Sequence, residues 1–106
     1  MVARTVSVQL KPHSVAAFTA IIENTIIPLL RPQPGFQDEM AFVVPGGTDA
    51  VSVRVWDDKE HVEAYQRGTY PAVLKALAPV MEGTPQVRLY EVSNSTFHTI
   101  VARVAG

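Results

Sequence analysis

Polar and apolar residues alternate strictly at the start of the chain. In "RTVSVQL", Val6, Val8 and Leu10 share one face and Thr5, Ser7 and Gln9 the other, the period-two signature of a strand. Pro12 ends that strand, and Ser14 is placed to cap a helix. The period then changes. Val15, Phe18, Ile22, Ile26 and Leu29 recur at three and four, which predicts a helix over 13–30, with Pro28 bending its last turn. Pro32, Pro34 and Gly35 forbid continuation and turn the chain into a second strand, "FQDEMAFVV". There Phe36, Met40, Phe42 and Val44 are expected on one face, with Asp38 as the exception. "PGGTD" reads as a hairpin turn. Strand three, "AVSVRVW", sets Val51, Val53 and Val55 against Ser52, Arg54 and Trp56.

Asp57 with Glu60 three residues on has capping-box logic, with Asp57 as the cap of a short helix over 59–67 that Gly68 ends. A third helix starts near Pro71, carries Val73, Leu74, Leu77, Val80 and Met81 inward, and closes at Gly83. "QVRLYEV" is strand four, and "FHTIVARV", over 97–104, reads as an additional strand. The order β-α-β-β-α-α-β is a split β-α-β, ferredoxin-like α+β plan in one domain over 1–106: an antiparallel sheet with helices on one face. Both faces of that sheet carry apolar side chains. Helices can cover only one, so a second copy of the chain is the expected cover for the other, which makes the chain a homodimer. The segment over 97–104 is in position to reach across to it.

Composition narrows the function. Nine basic and ten acidic residues, net −1 and without any Lys/Arg run, argue against a nucleic-acid partner. The absence of cysteine removes thiol catalysis and cysteine metal sites. Glu23, Asn24 and Arg31 interrupt the longest apolar stretch, so no membrane span is expected, and a cytoplasmic location is the default. No phosphate loop, dinucleotide fingerprint or nucleophile elbow occurs.

Three stretches, "PLLRPQPGF", "VSVRVWDDKEHVEAY" and "TYPAVLKAL", resemble the antibiotic biosynthesis monooxygenase-like (ABM) family of dimeric α+β barrels over roughly 4–98. The resemblance implies two sheets closed face to face between subunits and a pocket in each subunit between sheet and helices. It implies, for some members, cofactor-independent oxygenation of aromatic substrates, with no cofactor and no metal. Haem-degrading relatives carry a tryptophan nine residues after the strand-ending one, a histidine ten further on, and an asparagine in strand one. This chain has Tyr65, Lys75 and no asparagine in "TVSVQL", which argues against haem degradation.

Candidate chemistry is read beside its plainer alternative. Trp56 is either a pocket wall for a flat molecule or a core or interface aromatic. His61 and Tyr65, one helical turn apart, are candidate base and oxygen holder, or a solvent-facing histidine above a packed tyrosine. Tyr70 lines the pocket mouth or seals the core, and Phe18 is a candidate for the pocket lining. Arg54 and Arg88 are candidate anion partners, or cross-strand partners of Glu39 or Glu91. "DDKEH" has metal-ligand residue types, but acidic residues at a helix start already suit the helix dipole, so no metal is expected. The leading expectation is a pocket for a small apolar or aromatic molecule and oxygenation of its enolate or phenolate. The rival is a non-catalytic ligand-binding or interaction barrel.

Overall fold

The computed structural model describes residues 1–100. Four antiparallel strands form one sheet in the order β2-β3-β1-β4, with β1 spanning Val2–Leu10, β2 Phe36–Val43, β3 Asp49–Trp56 and β4 Met81–Glu91. The helices α1 (Val15–Ile21), α2 (Ile27–Leu30), α3 (Lys59–Gly68) and α4 (Tyr70–Leu77) supply the buried residues that close over one face. The ferredoxin-like α+β plan expected from the alternation of elements is the fold observed. No helix among the described residues is long and apolar enough to cross a membrane.

The helix expected over 13–30 is interrupted. Ile22–Ile26 form a π-helical turn between α1 and α2. Pro28 accounts for it: the residue has no N–H to donate, and its ring crowds the carbonyl four residues back. The buried residues Phe18, Ile22, Ile26 and Leu30 recur every four positions, and the wider turn keeps them on one side. Leu30, not Leu29, is therefore the last fully buried member. Ser14 stands before α1 but makes no side-chain cap.

Two strand details differ from the simple alternation. A bulge between Phe36 and Asp38 turns Phe36 to the helix side, opposite Trp56, while Asp38, Met40 and Phe42 pair with Val55, Val53 and Val51 on the open side. Gly83 does not close a helix. A 3-10 turn, Ala78–Val80, ends the helical run, and Gly83 lies inside β4 with positive φ, where the register with β1 slips between Ser7 and Gln9. The cap of α3 is Asp58, whose side chain accepts from the His61 amide, rather than Asp57. Of the strand expected over 97–104, residues 97–100 are not extended pairing partners of the sheet, and residues 101–104 lie outside the described residues. The segment after β4 instead folds back so that His98 meets Asp38 of β2.

The faces of β3 are divided in an unexpected way. Ala50, Ser52, Arg54 and Trp56 are buried beneath the helices, whereas Val51, Val53 and Val55 lie half-buried on the open side. Neighbouring residues on that open side include Met40, Phe42 and Tyr90, all exposed and large, with Phe42 at 54%.

Candidate functional site

The centre of the buried face is polar because of two register pairs. Arg4 on β1 lies directly opposite Arg54 on β3, and Arg54 lies opposite Glu39 on β2. Each arginine is only 1% exposed. Above them α3 buries Tyr65 and reaches in with the side chain of Gln66, an exposed residue, and α4 begins with Tyr70. Arg54 Nη1 donates to the Tyr65 hydroxyl at 3.2 Å. Arg4 Nε donates to Gln66 Oε1 at 2.9 Å, and its guanidinium carbon lies 4.0 Å from the centre of the Tyr70 ring and 5.6 Å from that of Tyr65. Trp56 packs on Tyr65 at 4.8 Å and meets Phe36 edge-on at 5.5 Å.

Satisfaction is incomplete. Arg54 Nε and Glu39 Oε2 are 3.7 Å apart, an ion pair but too long for a hydrogen bond. Arg4 Nη1, Arg54 Nε, Glu39 Oε2 and Trp56 Nε1 are all buried without a hydrogen-bond partner. Burial pushes the Glu39 carboxyl above its usual range, with the Arg54 charge pulling it back. Burial likewise raises the Tyr65 phenol, against the pull of Arg54 and Arg4, so its proton stays on the oxygen at neutral pH.

Between sheet and helices lies a small cavity lined by Phe18, Ser52, Arg54, Tyr70, Leu74 and Leu77, with a volume of about 10 Å³. That is the room of a single water. The pocket expected between sheet and helices is therefore closed down in this conformation.

The structure brings together Trp56, Tyr65, Tyr70, Phe18 and Arg54. It leaves out two of the expected residues. His61 points to the end of the sheet, where Nδ1 lies 2.7 Å from Asp57 Oδ1 and 3.1 Å from Asp58 Oδ1. The hydrogen bond to Asp57 is the main reason its pKa is raised. Asp57, Asp58 and His61 place ligand-type atoms within 4.8 Å of one another, but each already has work in the helix start: Asp58 caps it, and Asp57 holds the ring. Arg88 is exposed on β4, opposite Thr5, on the sheet face away from the helices. It does not reach the cavity. Arg4 and Gln66 were missing from the expected set. The signal for Arg4 was present, since it has the parity of Val6, Val8 and Leu10 and must share their face.

No protein-family profile and no curated protein matches the chain. Solved structures do. A monooxygenase from the ActVA-Orf6 gene of Streptomyces coelicolor, crystallised with nanaomycin D, superposes with a TM-score of 0.75 at 16% identity, covering 92% of both chains. SnoaB, a cofactor-independent oxygenase from Streptomyces nogalater, gives 0.73 at 16% identity over 90% of this chain and 95% of its own. A Nitrosomonas europaea protein described as an antibiotic biosynthesis monooxygenase gives 0.73 at 16% identity over 89% of this chain and all of its own. With the split β-α-β order, the one-sided helices and the tryptophan that ends β3, these superpositions identify the fold: the chain has the fold of the antibiotic biosynthesis monooxygenase-like proteins.

Proposed function

We propose that this protein is a homodimeric barrel that oxygenates the enolate or phenolate of a small aromatic molecule without a cofactor. The observation that carries the reading is the meeting of the Arg54 guanidinium, the Tyr65 hydroxyl and the Trp56 ring beneath the helices. In this reading Arg54 stabilises the substrate oxyanion, Tyr65 donates a hydrogen bond to the same oxygen, and Trp56, Tyr70 and Phe18 wall the ring. The deprotonated substrate passes an electron to dioxygen. The radical pair joins at a ring carbon that bears a hydrogen, one oxygen atom of the dioxygen becomes the new carbonyl there, and the other leaves as water with that carbon's hydrogen and the proton removed at the start. His61 is too far out to act as the base. The buried positive charge favours the substrate anion and takes over that task in part. The apolar open face, with Phe42, Met40 and Tyr90 exposed and three valines half-covered, supports the second copy.

The test is oxygen uptake with hydroxylated naphthalenes and anthrones. Activity that falls at least about tenfold in Tyr65→Phe, and stays level in His61→Ala, is the expected result. The closed cavity favours a second reading, a barrel that binds without catalysing. Saturable binding of those same compounds with no oxygen uptake would decide for it.

A further inference from the structure

The charge beneath α3 and α4 does not balance. Of two guanidiniums, each 1% exposed, only that of Arg54 has a carboxylate beside it, Glu39. Among the described residues no carboxylate comes within 4 Å of Arg4. Arginine cannot shed its proton to relieve this, and a buried cation without a counter-charge is costly to fold. Like charges directly opposite on adjacent strands add to the cost. The orphaned donors lie on this same pair, Arg4 Nη1 and Arg54 Nε. Tyr70 covers the face of the Arg4 guanidinium, so what remains to Arg4 is edge donation in the plane of the fork. Arg54 and Tyr70 also line the small cavity.

From this we infer that Arg4 and Arg54 together form a receptor for a planar monoanion, the carboxylate of an aromatic acid, whose ring takes the aromatic wall of Trp56, Tyr65 and Tyr70. A single negative charge completes the balance. A planar two-oxygen head matches edge-donating guanidiniums, whereas a tetrahedral dianion would overshoot the charge and lacks the ring that the aromatic wall suits. Entry needs Tyr70, half-buried at the start of α4, to swing from the cavity, because the present space holds one water-sized atom group. The inference rests on the pocket of the proposed function and not on its oxygen chemistry: it names an aromatic carboxylate as a ligand of that pocket, one that competes for Arg54 with the enolate or phenolate oxygen of a substrate.

Trp56 is the only tryptophan, so its fluorescence reports this site alone. The full chain is titrated with benzoate and, in parallel, with benzamide, its neutral isostere. The expected result is a saturable change with benzoate that weakens as salt is added, and none with benzamide over the same range. Arg4→Met should weaken benzoate about tenfold or more, and Arg88→Met should leave it unchanged. Where Arg4→Met fails to fold, the Nε–Hε resonance of Arg4 in the unaltered protein is the second readout, and it must move with benzoate and stay with benzamide. Equal responses to the two compounds, no response to either, or wild-type affinity in folded Arg4→Met overturns the inference. Benzoate binding without oxygen uptake on any enol keeps the receptor and rejects the oxygenase. Uptake on neutral phenols with no benzoate binding does the reverse.

Discussion

Gly35 joins the proline-rich turn to the end of the sheet, and replacing it by alanine tests how tightly that joint is built. Its φ is +79°, a region that costs an L-residue about 1–2 kcal/mol. A Cβ placed there would lie well inside contact distance of Asp57 Oδ1 and 2.5 Å from His61 Nδ1. Both are ends of side chains, so they can be pushed aside, and the Asp57–His61 hydrogen bond is what breaks. Backbone strain alone should lower Tm by roughly 5–10 °C for a chain of this size. The displacement has its own signature. The hydrogen bond to Asp57 is the largest cause of the raised His61 pKa, so Gly35→Ala should let His61 fall back towards 6.5 in an NMR titration. Gly68→Ala is the control: no atom lies within 4 Å of its added Cβ and its φ is not positive, so it should stabilise by about 0.5–1 kcal/mol. An unchanged Tm and an unchanged His61 titration in Gly35→Ala would refute the reasoning, since the joint would then have room for a side chain.

Three further outcomes are expected. Because the folded pKa of His61 is raised above 6.5, its contribution to stability is full below that value and is lost as pH rises through the folded pKa. The stability difference between wild type and His61→Ala should therefore shrink as pH rises from acid through the folded pKa, and a difference that is flat with pH would contradict it. Tyr65→Phe leaves Arg54 Nη1 without its acceptor and should cost about 1–3 kcal/mol in urea unfolding, with a loss below about 0.5 kcal/mol showing the bond to be idle. Val53→Asp places a charge at the centre of the open sheet face, the side proposed for the second copy, and on that proposal should halve the sedimenting mass while circular dichroism stays native. A dimer that survives would remove that face from the interface.

Much of the fold was legible in the chain. Alternation located β1 and β3, the "PGGTD" hairpin joined β2 to β3, and Gly68 marked the end of α3. What was not legible had local causes. Period two sorts residues into two faces but does not say which face is inward, and in β3 the polar face goes under the helices. One inserted residue at the start of β2 separated Phe36 from Met40 and Phe42. Two adjacent aspartates both suit a helix start, and only geometry selects Asp58. The aromatic residues Trp56, Tyr65, Tyr70 and Phe18 stood out by type and position, and the fold does gather them beneath the helices. Arg4 does not stand out by residue type, although its parity with Val6 puts it in the core.

The two buried arginines should respond oppositely to removal, and that contrast tests the charge argument at its root. Arg54 has a carboxylate neighbour and a phenol acceptor. Arg54→Met would leave Glu39 buried beside no cation, a loss of about 3–5 kcal/mol. Arg4 has one hydrogen bond, to Gln66, and the face of Tyr70. These contacts offset only part of what its desolvated charge costs: a cation–π contact returns about 2 kcal/mol and the charged hydrogen bond about 1.5–3 kcal/mol, against an effective penalty of several for a buried ion and an unpaired Nη1 besides. Arg4→Met fills the same volume without that charge and should therefore be as stable as wild type or more so, by about 1–3 kcal/mol in denaturant unfolding. A chain selected only for stability would not keep Arg4. If Arg4→Met instead destabilises as much as Arg54→Met, the charge is compensated within the fold, and the case for an anionic ligand falls with it.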